Sequence, residues 1–227
     1  MNGALGYGVS SITMPVGLLF YPNRLLNPVL VLIEVFVNLY VLATNRRSIP
    51  VILSRVAPIV IGLVPMVVVG SLLLRTLDPH AIRIGTYAFL LPLVFLQLLG
   101  FRRPVTHPVA RILCGAGIGT IYSLTTISGP PLAVIFNNEG LVKRDFRAAL
   151  ALIRSFESIV AAVAYASLGI ITPESLQLLK WIAPGVVIGI PLGAIAINKM
   201  NADTFRRICM GFDILIIVYG LWKALLA

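Results

Sequence analysis

The sequence is poor in charged residues and in the side chains that build metal and nucleophile sites. Only 11% of its 227 residues are charged, against about a quarter in an average soluble domain. It has two histidines and two cysteines, and both cysteines, Cys114 and Cys209, lie in apolar surroundings. Two such thiols and two isolated histidines indicate no disulfide, no metal site and no cofactor motif.

Acidic residues are especially scarce, with 8 Asp and Glu against 18 Lys and Arg, which gives a formal net charge of +10. In a soluble protein this excess would suggest nucleic-acid binding. Here the basic residues lie mostly in short segments between apolar runs, as in cytoplasmic loops beside anionic lipid. No Lys or Arg precedes Arg24, so the basic start of a signal peptide is absent. We therefore expect a lipid bilayer as partner, and no nucleic acid.

Long apolar stretches fill the rest of the chain, which is 59% hydrophobic with a mean hydropathy of +0.99. A stretch near 20 residues is long enough to cross about 30 Å of hydrocarbon as a helix. The chain is therefore predicted to be an all-α polytopic membrane protein. Its eight apolar segments are predicted at residues 3–20, 25–43, 51–74, 82–99, 112–136, 146–168, 176–197 and 208–226.

The two halves of the chain resemble each other, which predicts a diverged duplication. "SSITMP" in the first half corresponds to "TTISGP" in the second, and "APIVIGLVP" corresponds to "APGVVIGIP", in the same order. A further match, "LIEVFVN" with "LIRSFES", aligns Glu34 with Arg154. We predict two repeats, residues 1–107 and 108–227, each containing four segments.

The distribution of Lys and Arg predicts that the fifth segment does not cross the membrane. If all eight segments cross, the cations outside mid-span Arg154 divide 8 to 9 between the faces. If residues 112–136 enter and return on one side, the division is 12 to 5, as the positive-inside rule prefers. This path inverts the second repeat, a common transporter architecture. One crossing followed by a short half-helix is the alternative. In the re-entrant arrangement the smaller group is Arg24, Arg75, Arg83, Lys180 and Lys223.

"TTISGPP" places a helix breaker and three hydroxyl groups inside the fifth segment. Two prolines remove N–H donors and end a helix, and a new half-helix starting near Pro131 would present a positive dipole end to an anion. The alternative is an ordinary bend, because Pro, Gly, Ser and Thr are common in membrane helices. The predicted substrate-binding residues are Thr125, Thr126, Ser128, Gly129, Pro130 and Pro131, with Ser11, Thr13 and Pro15 in the first repeat.

Three glycines, Gly115, Gly117 and Gly119, precede the break. No strand precedes them, so they do not match a nucleotide-binding loop. Small residues allow membrane helices to approach closely. We therefore expect these glycines to serve helix packing.

Four ionisable residues lie within apolar segments: Glu34, Arg154, Glu157 and Asp213. Each needs a partner or a wet cavity, because a charge in mid-span costs about 2.5–3.5 kcal/mol. The Arg154 guanidinium could bind an anion bidentately, and Glu34 and Glu157 are candidates for proton coupling, since burial favours a neutral carboxyl. Alternatively, Arg154 and Glu157 neutralise each other, and Glu34 and Asp213 lie near an interface.

The stretch Gly115–Ile153 resembles the TauE/SafE sulfite exporter family. It has a glycine-rich segment ending in Ser128-Gly129-Pro130-Pro131, a short loop, and the helix start Phe146-Arg147-Ala148. The resemblance implies a secondary transporter of sulfite, sulfonates or related organosulfur anions in a bacterial inner membrane. The first repeat departs from the family pattern by having Thr13-Met14 where Gly-Gly is expected, and the late start suggests that part of its first segment is missing.

The leading hypothesis is therefore an anion transporter that works by alternating access around two broken segments. An anion channel could use the same half-helix dipoles and is the alternative. An enzyme is disfavoured because the apolar segments contain no Ser/His pair, no Asp pair and no His-based metal motif. The expected partners are a small-molecule anion and the bilayer, and the composition is compatible with a homo-oligomer.

Overall fold

A computed structural model describes residues 9–98, 107–136, 141–199 and 202–226, and within these ranges the chain is helical with no strand. A short 3₁₀ turn, Arg46–Ser48, joins the second and third helices. The α-helices are α1 Val9–Gly17, α2 Asn23–Thr44, α3 Ile49–Thr76, α4 Pro79–Leu98, α5 Pro108–Thr125, α6 Gly129–Phe136, α7 Lys143–Ser167, α8 Pro173–Lys199 and α9 Ala202–Leu226.

The all-α polytopic prediction is confirmed by these helices, which follow the apolar segments in order. Among the described residues, three helical stretches are long and apolar enough to cross a membrane: Asn23–Thr44, Arg46–Thr76 and Arg144–Ser167. Lone prolines, such as Pro28 in α2 and Pro92 in α4, lie inside continuous helices. They have the ordinary role that isolated prolines have in membrane helices.

The first segment differs from the prediction of two broken segments, because its helix is not broken at Pro15. Helix α1 continues through Pro15 and ends at Gly17, and the chain then turns into α2 at Asn23. A single proline removes one N–H donor, which a membrane helix tolerates. In the second repeat, α5 ends at Thr125, and the two consecutive prolines lie in the first turn of α6.

Helices α3 and α5 run parallel in close contact along their length. A Cβ added to Gly115 would lie 2.1 Å from the Ile59 carbonyl oxygen, and one added to Gly119 would lie 2.5 Å from that of Leu63. Such distances show that the two backbones touch. The predicted packing role is confirmed for Gly115 and Gly119. It is wrong for Gly117, where an added Cβ would meet nothing within 4 Å.

The order of contacts places the start of α5 and the start of α7 at the same end of the bundle. Because α5 runs parallel to α3, both begin at the end where the 3₁₀ turn lies. Helix α7 runs antiparallel to α2: Asn38 contacts the Arg154 carbonyl, whereas Asn27 and Tyr165 share the Ser123 carbonyl. Helix α7 therefore also begins near the 3₁₀ turn, which it contacts. This arrangement agrees with the predicted re-entrant path of residues 112–136.

Cysteine labelling tests this path directly. In a variant with Cys114 and Cys209 replaced by serine, we expect His107→Cys and Arg144→Cys to react with an impermeant maleimide from the same side of the membrane. Leu77→Cys, at the other end of α3, should react from the opposite side. All three positions are exposed. Labelling of positions 107 and 144 from opposite sides would show that the fifth segment crosses.

Two apolar clusters position the site. The larger one joins α3, α5 and α7, and includes Leu63, Ile118 and Ile153. The smaller one contains Met14 and Leu18 from the first segment together with Ile127 from the break between α5 and α6. The first segment therefore packs in the same apolar cluster as the break in the second repeat.

Candidate functional site

The fifth segment is broken as predicted, but the break lies at Thr126–Ser128, and Gly129-Pro130-Pro131 form the first turn of the next helix. Helix α5 ends at Thr125, and Thr126 takes a left-handed conformation with φ 55°. Its N–H group donates to the Tyr122 carbonyl oxygen at 2.6 Å, which closes the last turn of α5. Helix α6 begins three residues later, at Gly129.

Side chains from other helices satisfy the carbonyl groups that the break frees. Asn27 Nδ2 donates to the carbonyls of Ser123 at 3.2 Å and Leu124 at 2.8 Å, and Asn23 Nδ2 donates to Leu124 at 3.1 Å. The Tyr165 hydroxyl also donates to the Ser123 carbonyl. Inside a bilayer each freed backbone group needs such a partner. Sequence reasoning missed Asn23 and Asn27, although two amides four positions apart in an apolar span were a signal.

Two of the three predicted hydroxyl groups bond to their own backbone. Thr125 Oγ1 donates to the Ile121 carbonyl at 2.8 Å and accepts the Ile127 N–H at 3.2 Å. Thr126 Oγ1 donates to the Thr125 carbonyl at 2.7 Å. These threonines therefore stabilise the bend, whereas the Ser128 hydroxyl points to another helix.

The start of α6 has fewer N–H donors than an ordinary helix, because Pro130 and Pro131 have none. The Leu132 N–H is already used, since it donates to the Ser128 carbonyl at 3.1 Å. Among the first three residues of α6, Gly129 is therefore the one with an N–H group. The Ser128 hydroxyl donates to Oε2 of Glu157 at 2.5 Å. A carboxyl group of the protein itself thus lies beside the helix start where the sequence predicted an external anion.

An ion pair between Glu34 of α2 and Arg154 of α7 lies buried near this break. Arg154 Nη2 donates to Glu34 Oε1, and the Tyr122 hydroxyl of α5 donates to Glu34 Oε2 at 2.8 Å. Both charged residues are 1% exposed. The ion-pair partner seen for Arg154 is thus Glu34, whereas the alternative in the sequence was Glu157. The expectation that Glu34 lies near a wet interface is wrong, and the side chain of Asp213 lies outside the described residues.

The family model for the sulfite exporter TauE/SafE matches residues 1–220. The chain belongs to the TauE/SafE family. Searches of curated proteins and of solved structures found no match.

Membership in the TauE/SafE family implies a membrane transporter of sulfur anions, in agreement with the apolar helices. The residues on which the resemblance rests lie at the starts of two helices. Ser128 and Gly129 are at the start of α6, and Phe146-Arg147-Ala148 lies in the first turns of α7. The motif therefore includes the start of the short helix after the break and the start of the helix that carries Arg154.

The first-repeat residues of this TauE/SafE protein are less directly connected with the ion pair. Pro15 is buried, and its carbonyl oxygen accepts the Tyr87 hydroxyl at 3.1 Å. Thr13 is half-buried on α1. The side chain of Ser11 lies outside the described residues. The first segment is connected with the second repeat through the apolar cluster that contains both Met14 and Ile127.

The charged groups of the site are completed by Glu157, which is fully buried. Its Oε2 accepts the Ser128 hydroxyl, while no hydrogen-bond partner for its Oε1 occurs within the described part of the chain. A buried carboxylate oxygen is costly to leave without a donor. Glu157 can therefore take up a proton or accept a hydrogen bond from a ligand.

Proposed function

We propose that this protein is a secondary transporter of a small sulfur oxyanion (sulfite, a sulfonate or a related organosulfur anion) in a bacterial inner membrane. The observation that carries the proposal is a buried arginine, Arg154, held by an internal carboxylate beside a broken helix. A guanidinium group can donate two parallel hydrogen bonds to two of the three oxygens of a sulfite or sulfonate group. Transport proceeds by alternating access around the broken fifth segment and the first segment that packs against it.

In the binding step, the substrate anion replaces Glu34 on Arg154. The Ser128 hydroxyl and the Gly129 N–H at the start of α6 offer further donors to the anion. Thr125, Thr126, Pro130 and Pro131 shape the bend that presents these donors. Ser11, Thr13 and Pro15 supply the corresponding wall from the first repeat.

Proton coupling follows from charge balance in the buried site. With Glu34 on Arg154 the pair is neutral, and a bound monoanion would leave one negative charge uncompensated at a depth where charge is costly. Proton uptake by Glu34 restores neutrality. Glu157 provides a second site for a proton when the substrate replaces it as the acceptor of the Ser128 hydroxyl. The result is symport of anion and proton.

The helix contacts support the proposed division into inverted repeats 1–107 and 108–227. Helices α2 and α7 occupy equivalent positions in the two repeats and pack together, as do the equivalent helices α4 and α9. The contact of α3 with α7 has its counterpart in the contact of α2 with α8. Such paired contacts are expected when two repeats are related by a pseudo-twofold axis.

Replacing Glu34 tests the transport proposal in proteoliposomes, with a radiolabelled sulfonate that stays ionised over the pH range used. The native protein should accumulate the sulfonate when a proton gradient is imposed. We expect Glu34→Gln to lose this accumulation and to retain exchange of labelled for unlabelled substrate, because the amide cannot take up the proton. The control is Glu174→Gln, at an exposed position in the first turn of α8, which should behave as native.

Two other results would contradict the proposal. Flux that does not saturate and follows only the anion gradient would show an anion channel. Absence of both flux and binding for sulfite and for a panel of sulfonates would reject sulfur oxyanions as the substrate class.

A further inference from the structure

Tyr122 connects the buried ion pair with the broken segment. It is fully buried in the last turn of α5. Its hydroxyl donates to Glu34 Oε2 at 2.8 Å, and its carbonyl accepts the Thr126 N–H that closes the helix. One residue is thus bonded to the carboxylate through its side chain and to the bend through its backbone.

The Glu34 carboxylate is held at both of its oxygen atoms. Oε1 accepts from Arg154, and Oε2 accepts from Tyr122. Glu157 and Tyr165, both on α7, also lie within electrostatic reach of Glu34. Tyr165 directs its hydroxyl to the Ser123 carbonyl, so Tyr122 is the tyrosine that holds the carboxylate.

We propose that Tyr122 is a positioning residue that keeps Glu34 on Arg154 while no substrate is bound, and so sets the affinity for the anion. This inference rests on the proposed function, in which the substrate competes with Glu34 for Arg154. A donor that stabilises the internal competitor lowers the apparent affinity for the external one. Because the same residue closes the last turn of α5, exchange of Glu34 for substrate is transmitted to the bend at Thr126.

Two phenylalanine variants separate this role from a general structural one. Tyr122→Phe removes the hydroxyl that contacts Glu34, and Tyr40→Phe removes the hydroxyl of an exposed tyrosine on α2. We expect Tyr122→Phe to lower the apparent Kd for sulfite or a sulfonate by about tenfold to a hundredfold, the worth of one hydrogen bond to a charged group. Tyr40→Phe should leave the Kd unchanged. Binding to the purified full-length protein is followed by thermal stabilisation as the anion is titrated.

A double-mutant cycle shows whether Tyr122 acts through Glu34. In a Glu34→Gln background the competing charge is gone, so adding Tyr122→Phe should change the Kd less than twofold. The inference is overturned if Tyr122→Phe leaves the Kd of the native background unchanged, or if its effect persists in full in the Glu34→Gln background. Either result leaves the native protein binding the anion, and the proposed function then stands.

If no sulfur oxyanion binds the native protein, the proposed function fails and the role of Tyr122 in substrate affinity fails with it. The contact between Tyr122 and Glu34 can still be tested by the same double-mutant cycle, with the Tm of each variant measured without ligand. Non-additive shifts for Tyr122→Phe with Glu34→Gln, beside additive shifts for Tyr40→Phe with Glu34→Gln, would retain Tyr122 as a positioning residue for Glu34. Additive shifts in both cycles would reject it.

Discussion

Arg154→Ala is expected to lower anion transport by at least about thirtyfold, because truncating one partner of a buried charge pair typically costs about 2–5 kcal/mol in binding. Arg154 is the buried cation that the substrate would bind in exchange for Glu34. Initial uptake of a labelled sulfonate into proteoliposomes measures the loss.

The same substitution also strains the fold, since it leaves the Glu34 carboxylate buried. Breaking a buried ion pair from one side costs about 3–5 kcal/mol of stability, whereas replacing both charges is often nearly neutral. The double variant Arg154→Gln with Glu34→Gln therefore separates the two effects. We expect its Tm to recover toward the native value while transport remains absent.

Two further variants sharpen this result. Arg154→Lys keeps the charge and loses the planar fork, so it should retain weak transport with a KM raised about tenfold. Arg144→Ala removes an exposed cation from the first turn of the same helix and should transport normally. Native-like transport by Arg154→Ala, or by the double variant, would remove Arg154 from the substrate site.

Gly115→Ala is expected to lower the stability of the folded protein sharply. The added Cβ would lie 2.1 Å from the Ile59 carbonyl oxygen, and a backbone atom can yield only if α3 and α5 move apart. Overpacking of this kind costs about 1–3 kcal/mol, and more where backbone must shift. The fall in Tm of the purified protein measures the effect.

Gly117→Ala is the matched control, two residues along the same helix. Its Cβ would enter open space, and alanine is about 1 kcal/mol better than glycine in a helix. We expect an unchanged or raised Tm. Equal shifts for the two variants would show that α3 and α5 are not in backbone contact at Gly115.

The Gly115→Ala variant should also transport poorly in whatever fraction folds. Helix α5 carries Tyr122 and the bend at Thr126 as well as the glycine contact. Separation of α5 from α3 would displace the Tyr122 hydroxyl from Glu34, whose hydrogen bond tolerates only a few tenths of an ångström. The packing glycines therefore affect the site without contacting it.

The sequence by itself determined the membrane class, the helical segments and the break. These properties depend on composition and on local backbone chemistry, since runs of apolar residues and the Gly129-Pro130-Pro131 stretch act wherever they stand. That α5 and α7 begin at the same end of the bundle was also predictable, because the placement of Lys and Arg relative to the spans is a one-dimensional property. The same reasoning failed at Met14-Pro15, where one proline was not enough to end a helix.

Only the tertiary structure decided the partners of the polar side chains. Glu34 and Arg154 are 120 positions apart. The repeat alignment places them at equivalent positions, but equivalence does not establish contact, and Glu157 lies three residues from Arg154 on the same helix. Helix packing also decided that Gly115 contacts a backbone while Gly117 does not. Contacts of this kind depend on which face of each helix meets its neighbour, and that is set by the whole bundle at once.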